Sequence, residues 1–269
     1  MAGGRRAVLW REVAWFCALA FGLAWAWAGA LIASGAVVRA GALPTHLPAL
    51  AAPFLGALII APRKGRFLAR LARWPRGWRA WALALTPLPC LALVWPFGDP
   101  AGLRLYSGLP ALPVGAVVAI VLVVNGLGEE AGWRGFLLPR LQALCGPRAG
   151  TLATGAVWAA WHAPFFALVA TYRAMDPVMI LFGFGLGILA GAFVLAHLAA
   201  LAGGGVVLAV LWHGLFNLAT ATAAGGPAGP ILTAVAIGWA LWLWRHPAAL
   251  TVPPDDATAP LPESRRPRH

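Results

Sequence analysis

Apolar runs of about 20 residues, separated by short stretches rich in Pro, Gly or Arg, organise the whole chain. Eight of them read as membrane-spanning helices, at roughly 13–38, 47–62, 79–97, 112–130, 150–170, 177–197, 204–223 and 229–245. The second is short for a span. The third carries Pro87, Pro89 and Pro96, which predict a kink or partial re-entry. The run from Val13 to Val38 exceeds the roughly 7–15 apolar residues of a signal peptide and is read as a retained span. Residues 63–79 alternate Arg with Phe, Leu and Trp, the pattern of a helix lying on anionic headgroups with Trp74, Trp78 and Trp81 at the interface. Residues 133–146 give a similar interfacial expectation. The reading is an integral membrane helical domain over 1–246 and a disordered cytoplasmic tail over 247–269, rich in Pro, Asp and Arg.

Composition supports this pattern. The chain is 61% hydrophobic and only 10% charged, far from the quarter or so charged that is usual in soluble domains. A net charge of +12 raises the question of nucleic acid, but the basic residues lie between apolar runs instead of on one soluble face. Membrane lipids, not nucleic acid, are the expected partners of these cations. With the N-terminus inside, seventeen basic residues fall in cytoplasmic segments, among them Arg134, Arg140 and Arg148, against Arg39, Arg104 and Arg173 outside. The positive-inside rule then favours an even number of spans. The fold class expected is all-α, a polytopic transmembrane bundle of about eight spans with both termini cytoplasmic, in the cell membrane. Nineteen Arg against one Lys suggests a high-GC bacterial source. Cys17, Cys90 and Cys145 show no metal-ligand spacing.

Between residues 100 and 250 the only acidic residues are Glu129, Glu130 and Asp176. Carboxylates at membrane depth cost several kcal/mol and by default mark function. On a helix the adjacent pair points about 100° apart. Arg134 follows Glu130 by four residues, in the favourable order for a helical ion pair. Glu129 faces another way, with Asn125 one turn before it, and is left without a local cation as a general base. His162 lies inside the fifth span, where Trp158, one turn earlier, shields its imidazole. His213 and Asn217 share one face of the seventh span and both can donate toward an oxyanion. Helix-packing glue is the alternative for each taken alone. His197 sits at a span end and His46, His246 and His269 fall in loops or tails, so none is given a site role.

Three short patterns follow in order. Glu129-Glu130-x-x-x-Arg134 resembles the EExxxR motif of the CAAX-protease and bacteriocin-processing (CPBP, Abi-type) family of intramembrane proteases. Trp158-x-x-x-His162 resembles its FxxxH motif, with Trp in place of the usual Phe, and His213-x-x-x-Asn217 its HxxxN/D motif. The match covers about 112–223. The resemblance implies an endopeptidase in which Glu129, helped by His162, activates a water, His213 and Asn217 stabilise the oxyanion, and Glu130 with Arg134 supports the motif. It leaves open a divalent metal such as zinc, for which Glu129, His162 and His213 would be the ligands. With no HExxH present, the metal-free mechanism is preferred and no cofactor is expected. The substrate would be a peptide or protein, lipidated or membrane-associated, reaching a site that opens toward the cytoplasm because Glu129 is placed near that end of the fourth span. A proton-coupled transporter using the same Glu and His residues is the competing reading, though the duplicated halves expected of a transporter are absent. An inactive scaffold or immunity relative is the third.

Overall fold

The computed structural model describes residues 2–94, 100–222 and 228–253. Among these there is no β-strand, only three isolated backbone bridges; everything else regular is helix. The helices are α1 (Ala2–Ala33), α2 (Leu47–Ile60), α3 (Lys64–Leu71), α4 (Trp78–Ala84), α5 (Pro87–Val94), α6 (Val114–Cys145), α7 (Pro147–Trp161), α8 (Met179–Leu201), α9 (Val207–Thr220) and α10 (Ala228–Arg245). Two further single turns, Phe165–Leu168 and Ala170–Arg173, connect α7 to α8.

By length and apolarity, α1, α6 and α8 can cross a membrane. The apolar helices α2 and α9 are shorter. The expected third span is divided between α4 and α5 at Pro87, whose ring cannot follow the preceding turn; Pro96 lies outside the described residues. The expected fifth span stops at Trp161, because His162 leads into Pro164 and the residue before a proline is steered out of the helical region. Large apolar side chains such as Trp15, Trp25, Leu181, Phe182 and Trp242 are exposed on the outside of the bundle, as a lipid surround permits.

The organising element is α6. Every residue from Gly128 to Leu141 is buried, so the helix is enclosed on all sides. It packs against α2, α7 and α9. The expected surface helix at 133–146 is therefore corrected: Trp133, Phe136, Leu137 and Leu138 are fully buried and continue α6. Apolar side chains occupy all faces of that stretch, and its cations are consumed internally. Arg134 pairs with Glu130 and Arg140 donates to Glu12 of α1 at 2.7 Å. Neither arginine is the cytoplasmic loop charge that the positive-inside reading expects; both are inside the bundle.

Glycines bring the neighbouring backbones close. Gly128 and Gly132, four apart, face α2, the small-xxx-small spacing that lets two helices approach. A Cβ at Gly132 would stand 2.6 Å from the Pro53 carbonyl carbon and oxygen, atoms that cannot step aside. Gly132→Ala is expected to destabilise the fold by about 1–3 kcal/mol, in the range for overpacking, with Gly4→Ala, which meets open space, as a neutral control in thermal unfolding.

At the surface, α3 buries Phe67 and Leu71 and exposes Lys64 and Arg66, while Trp74 and Trp78 stand out from the bundle. The tail begins later than 247. Leu250 is fully buried, its carbonyl accepts from Gln142 Nε2 at 2.8 Å, and Val252 N donates to Gln142 Oε1 at 3.0 Å. The rest of the tail, 254–269, lies outside the described residues.

Candidate active site

Two π-helical stretches, Val121–Leu127 and Trp133–Leu137, bracket the α-helical turn Gly128–Gly132 that carries both glutamates. Such wide turns recur at functional sites because the extra residue re-aims the side chains around it. The glutamates stand midway along α6, not at its end, and are almost wholly buried: 2% of Glu129 and none of Glu130 is exposed.

The pair divides. Glu130 Oε1 accepts from Arg134 at 2.9 Å and also from His213 Nδ1 at 2.8 Å, so this carboxylate joins α6 to α9. Glu129 has no such cation; its Oε2 accepts from the indole Nε1 of Trp158 at 2.8 Å. Trp158 is the meeting point of the site. The Arg134 guanidinium lies 4.3 Å from the centroid of its ring, and the rings of His162 and His213 stand 5.8 and 5.3 Å from it. Where a phenylalanine would offer only a wall, this tryptophan also holds Glu129. Trp158→Phe keeps the wall and removes the N–H. It is expected to lower thermal stability by about 1.5–3 kcal/mol, the range for a hydrogen bond to a charged group, while cleavage falls by no more than about tenfold.

His162 closes α7 at its C-terminal cap. Its Nδ1 donates to the Trp158 carbonyl at 2.8 Å, which leaves Nε2 on the far side of the ring as the nitrogen available to a ligand. Its ring meets Trp161, Phe165 and Phe184 edge-on. No direct hydrogen bond joins Glu129 to His162 among the described residues; both are held to Trp158. In His213, likewise, Nδ1 is engaged by Glu130 and Nε2 is left. Asn217, half-buried, stands one turn after His213 on α9.

Three residues given no role from sequence come to this region from loops. His46 is buried with its ring 6.0 Å from Phe165, on which His162 also packs, and burial pushes its imidazole down to about 4, so it is neutral near pH 7. Tyr106 accepts a 2.7 Å hydrogen bond from Asn125 Nδ2. Tyr172 and Tyr106 are the only tyrosines in the chain, and both lie within electrostatic reach of Glu129. Burial first, then the neighbouring Glu129 charge, pushes Tyr172 up to about 12. Burial, then Tyr172 and Glu129, raises Tyr106 as well. Both phenols keep their protons at neutral pH. Nothing in a single sequence marks these loop residues; only the scarcity of tyrosine singles them out.

Among the described residues no three His, Cys, Asp or Glu side chains are grouped to hold a metal ion. Glu129, His162 and His213 are not such a group, though each imidazole holds its Nδ1 on the protein and leaves Nε2 uncommitted, the arrangement usual in a metal-ligating histidine.

Residues 110–219 match the family described as type II CAAX prenyl endopeptidase Rce1-like. The chain carries an Rce1-like domain. No curated protein matches the chain. The matched segment runs from just before α6 almost to the end of α9, and so contains every residue of the three motifs. Residues 110–219 are thus similar to a CAAX-type prenyl endopeptidase, and three of the described helices are long and apolar enough to cross a membrane.

Proposed function

We propose that this Rce1-like protein hydrolyses a peptide bond within the membrane by a glutamate-activated water. The observation that carries the reading is the convergence on Trp158: one side chain bonds Glu129 and touches both His162 and His213, bringing three motifs to one place. A water between Glu129 and His162 Nε2 finds two acceptors for its two hydrogens, and its lone pair is left for the carbonyl carbon. As the C–O bond forms, Glu129 takes the proton. The carbonyl oxygen becomes an oxyanion, toward which the Asn217 amide donates together with Nε2–H of His213, an imidazolium whose Nδ1–H is held by the Glu130 carboxylate. Glu129 then returns the proton to the amide nitrogen as the C–N bond breaks, giving a carboxylic acid and a free amine. Glu130 acts through others, fixing His213 and neutralising Arg134.

We further propose the eight-span arrangement with both termini cytoplasmic, a site open to that side, and substrates that are peptides of membrane-associated or lipidated proteins. The test is incubation of the purified chain in detergent with a peptide library. The expected result is discrete cleavage products, unchanged by a zinc chelator. Loss of cleavage with chelator and its return with added zinc would replace the metal-free mechanism; no cleavage of any peptide would remove the peptidase reading.

A further inference from the structure

One polar pair in this region has no place in that mechanism. Asn125 lies one turn before Glu129 in the first π-helical stretch and is 4% exposed; Tyr106, its partner, is 3% exposed. Asn125 donates through Nδ2 to the phenol oxygen at 2.7 Å, so Oδ1 is turned away, and it has no partner among the described residues. The phenol proton has no acceptor among the described residues. If the amide were turned over, the phenol would donate to Oδ1, leaving Nδ2 and the phenol oxygen. Either way, one donor and one acceptor stay unpaired side by side. A buried polar group without a partner costs roughly 1–3 kcal/mol, and here two occur together, beside a carboxylate assigned to catalysis.

The pair is also held still. Tyr106 forms a backbone bridge with Thr222 just beyond α9, and its carbonyl accepts from Gly41 N at 3.2 Å. The phenol is thereby fixed relative to both α6 and α9, the helices that supply Glu129 and His213. A preorganised donor and acceptor fit a ligand that offers the reverse pair on one side. The N–H and C=O of a single residue in an extended chain leave the backbone on the same side, as in an antiparallel ladder. A residue inside a helix does not match, because its N–H and C=O are bonded within the helix.

We propose that Tyr106 and Asn125 form a subsite that binds the backbone N–H and C=O of one extended substrate residue. The proposal rests on the peptidase reading. One helical turn separates Asn125 from Glu129, about 6 Å along the axis, and an extended peptide advances about 3.3 Å per residue. The gripped residue therefore lies about two residues from the bond that is cut. The subsite reads backbone, not side chain. It selects for segments that are unwound at this position and leaves sequence preference to other contacts.

The test uses the full chain in detergent and a quenched fluorescent peptide that the wild type cleaves. In a series of analogues each backbone amide in turn is replaced by an ester, which removes one N–H and weakens the adjoining carbonyl as an acceptor. The expected result is a loss of about tenfold in kcat/KM at one position, about two residues from the scissile bond, and mainly through KM. Asn125→Leu should abolish that discrimination, and Tyr106→Phe should raise KM about tenfold with kcat within about threefold. A merely structural pair would move stability but not the response to the ester. A flat ester series in the wild type, or an unchanged series in Asn125→Leu, overturns the proposal. Should Asn125→Leu not fold, the wild-type ester series and Tyr106→Phe, which keeps the buried ring, decide. A wild type that cleaves no peptide removes the peptidase reading and this one with it; a wild type that cleaves with a flat series removes only this one.

Discussion

Glu129→Gln is expected to lower kcat for peptide cleavage by about 10²–10⁴-fold, the contribution usual for a general acid–base group, and to leave the fold nearly intact. The expectation follows from what Glu129 does and does not touch. Its one hydrogen bond, from Trp158 Nε1, can be accepted by the glutamine carbonyl just as well. Among the described residues no cation is bonded to it, so no buried ion-pair partner is stranded when its charge is removed. The amide cannot take the proton of a water. Cleavage assays and thermal unfolding of the same preparation check both halves of the statement. A Glu129→Gln protein that cleaves at the wild-type rate would remove the residue from the chemistry.

Glu130→Gln is expected to do the opposite: to destabilise the bundle by about 3–5 kcal/mol, the range for breaking a buried ion pair by removing one partner. Arg134 has no exposed surface, and among the described residues its Nε and second amino group have no hydrogen-bond partner, so Glu130 is the anion bonded to it. The same carboxylate oxygen holds His213. Without it, Arg134 is a buried cation lacking its ion-pair partner, and the imidazole loses its orientation. Folded yield after detergent extraction should fall well below that of Glu129→Gln, and the surviving protein should also be slower. If Glu129→Gln were the less stable and Glu130→Gln the less active, the two carboxylates would have exchanged roles.

Much of this was legible from local pattern. Glu-x-x-x-Arg places an ion pair on one helix face wherever the helix goes, and the pair is found. The boundaries of α8, α9 and α10 follow from uninterrupted apolar runs. What escaped was long-range. Residues 133–146 carry two arginines among large apolar side chains, the pattern of an interfacial helix. Only the distant Glu12 and the enclosing helices make that pattern a core. Trp158 was read as a shield for His162, because the reach of its indole N–H to another helix is invisible in sequence. His46 and Tyr106 were out of view for the same reason: loops bring them in, and loop paths carry no periodicity.

The three backbone bridges have a mechanical consequence. Val38 pairs with Val169, Ala40 with Ser107, and Tyr106 with Thr222. These join the segments that follow α1, α7 and α9 to the loop that precedes α6, all at one end of the bundle. The opposite end is clamped too, by side chains: Arg140 bonds Glu12, and Gln142 bonds the backbone of Leu250 and Val252. The turn of α6 that carries the glutamates therefore lies between two tied ends, with Tyr106 in one of the ties.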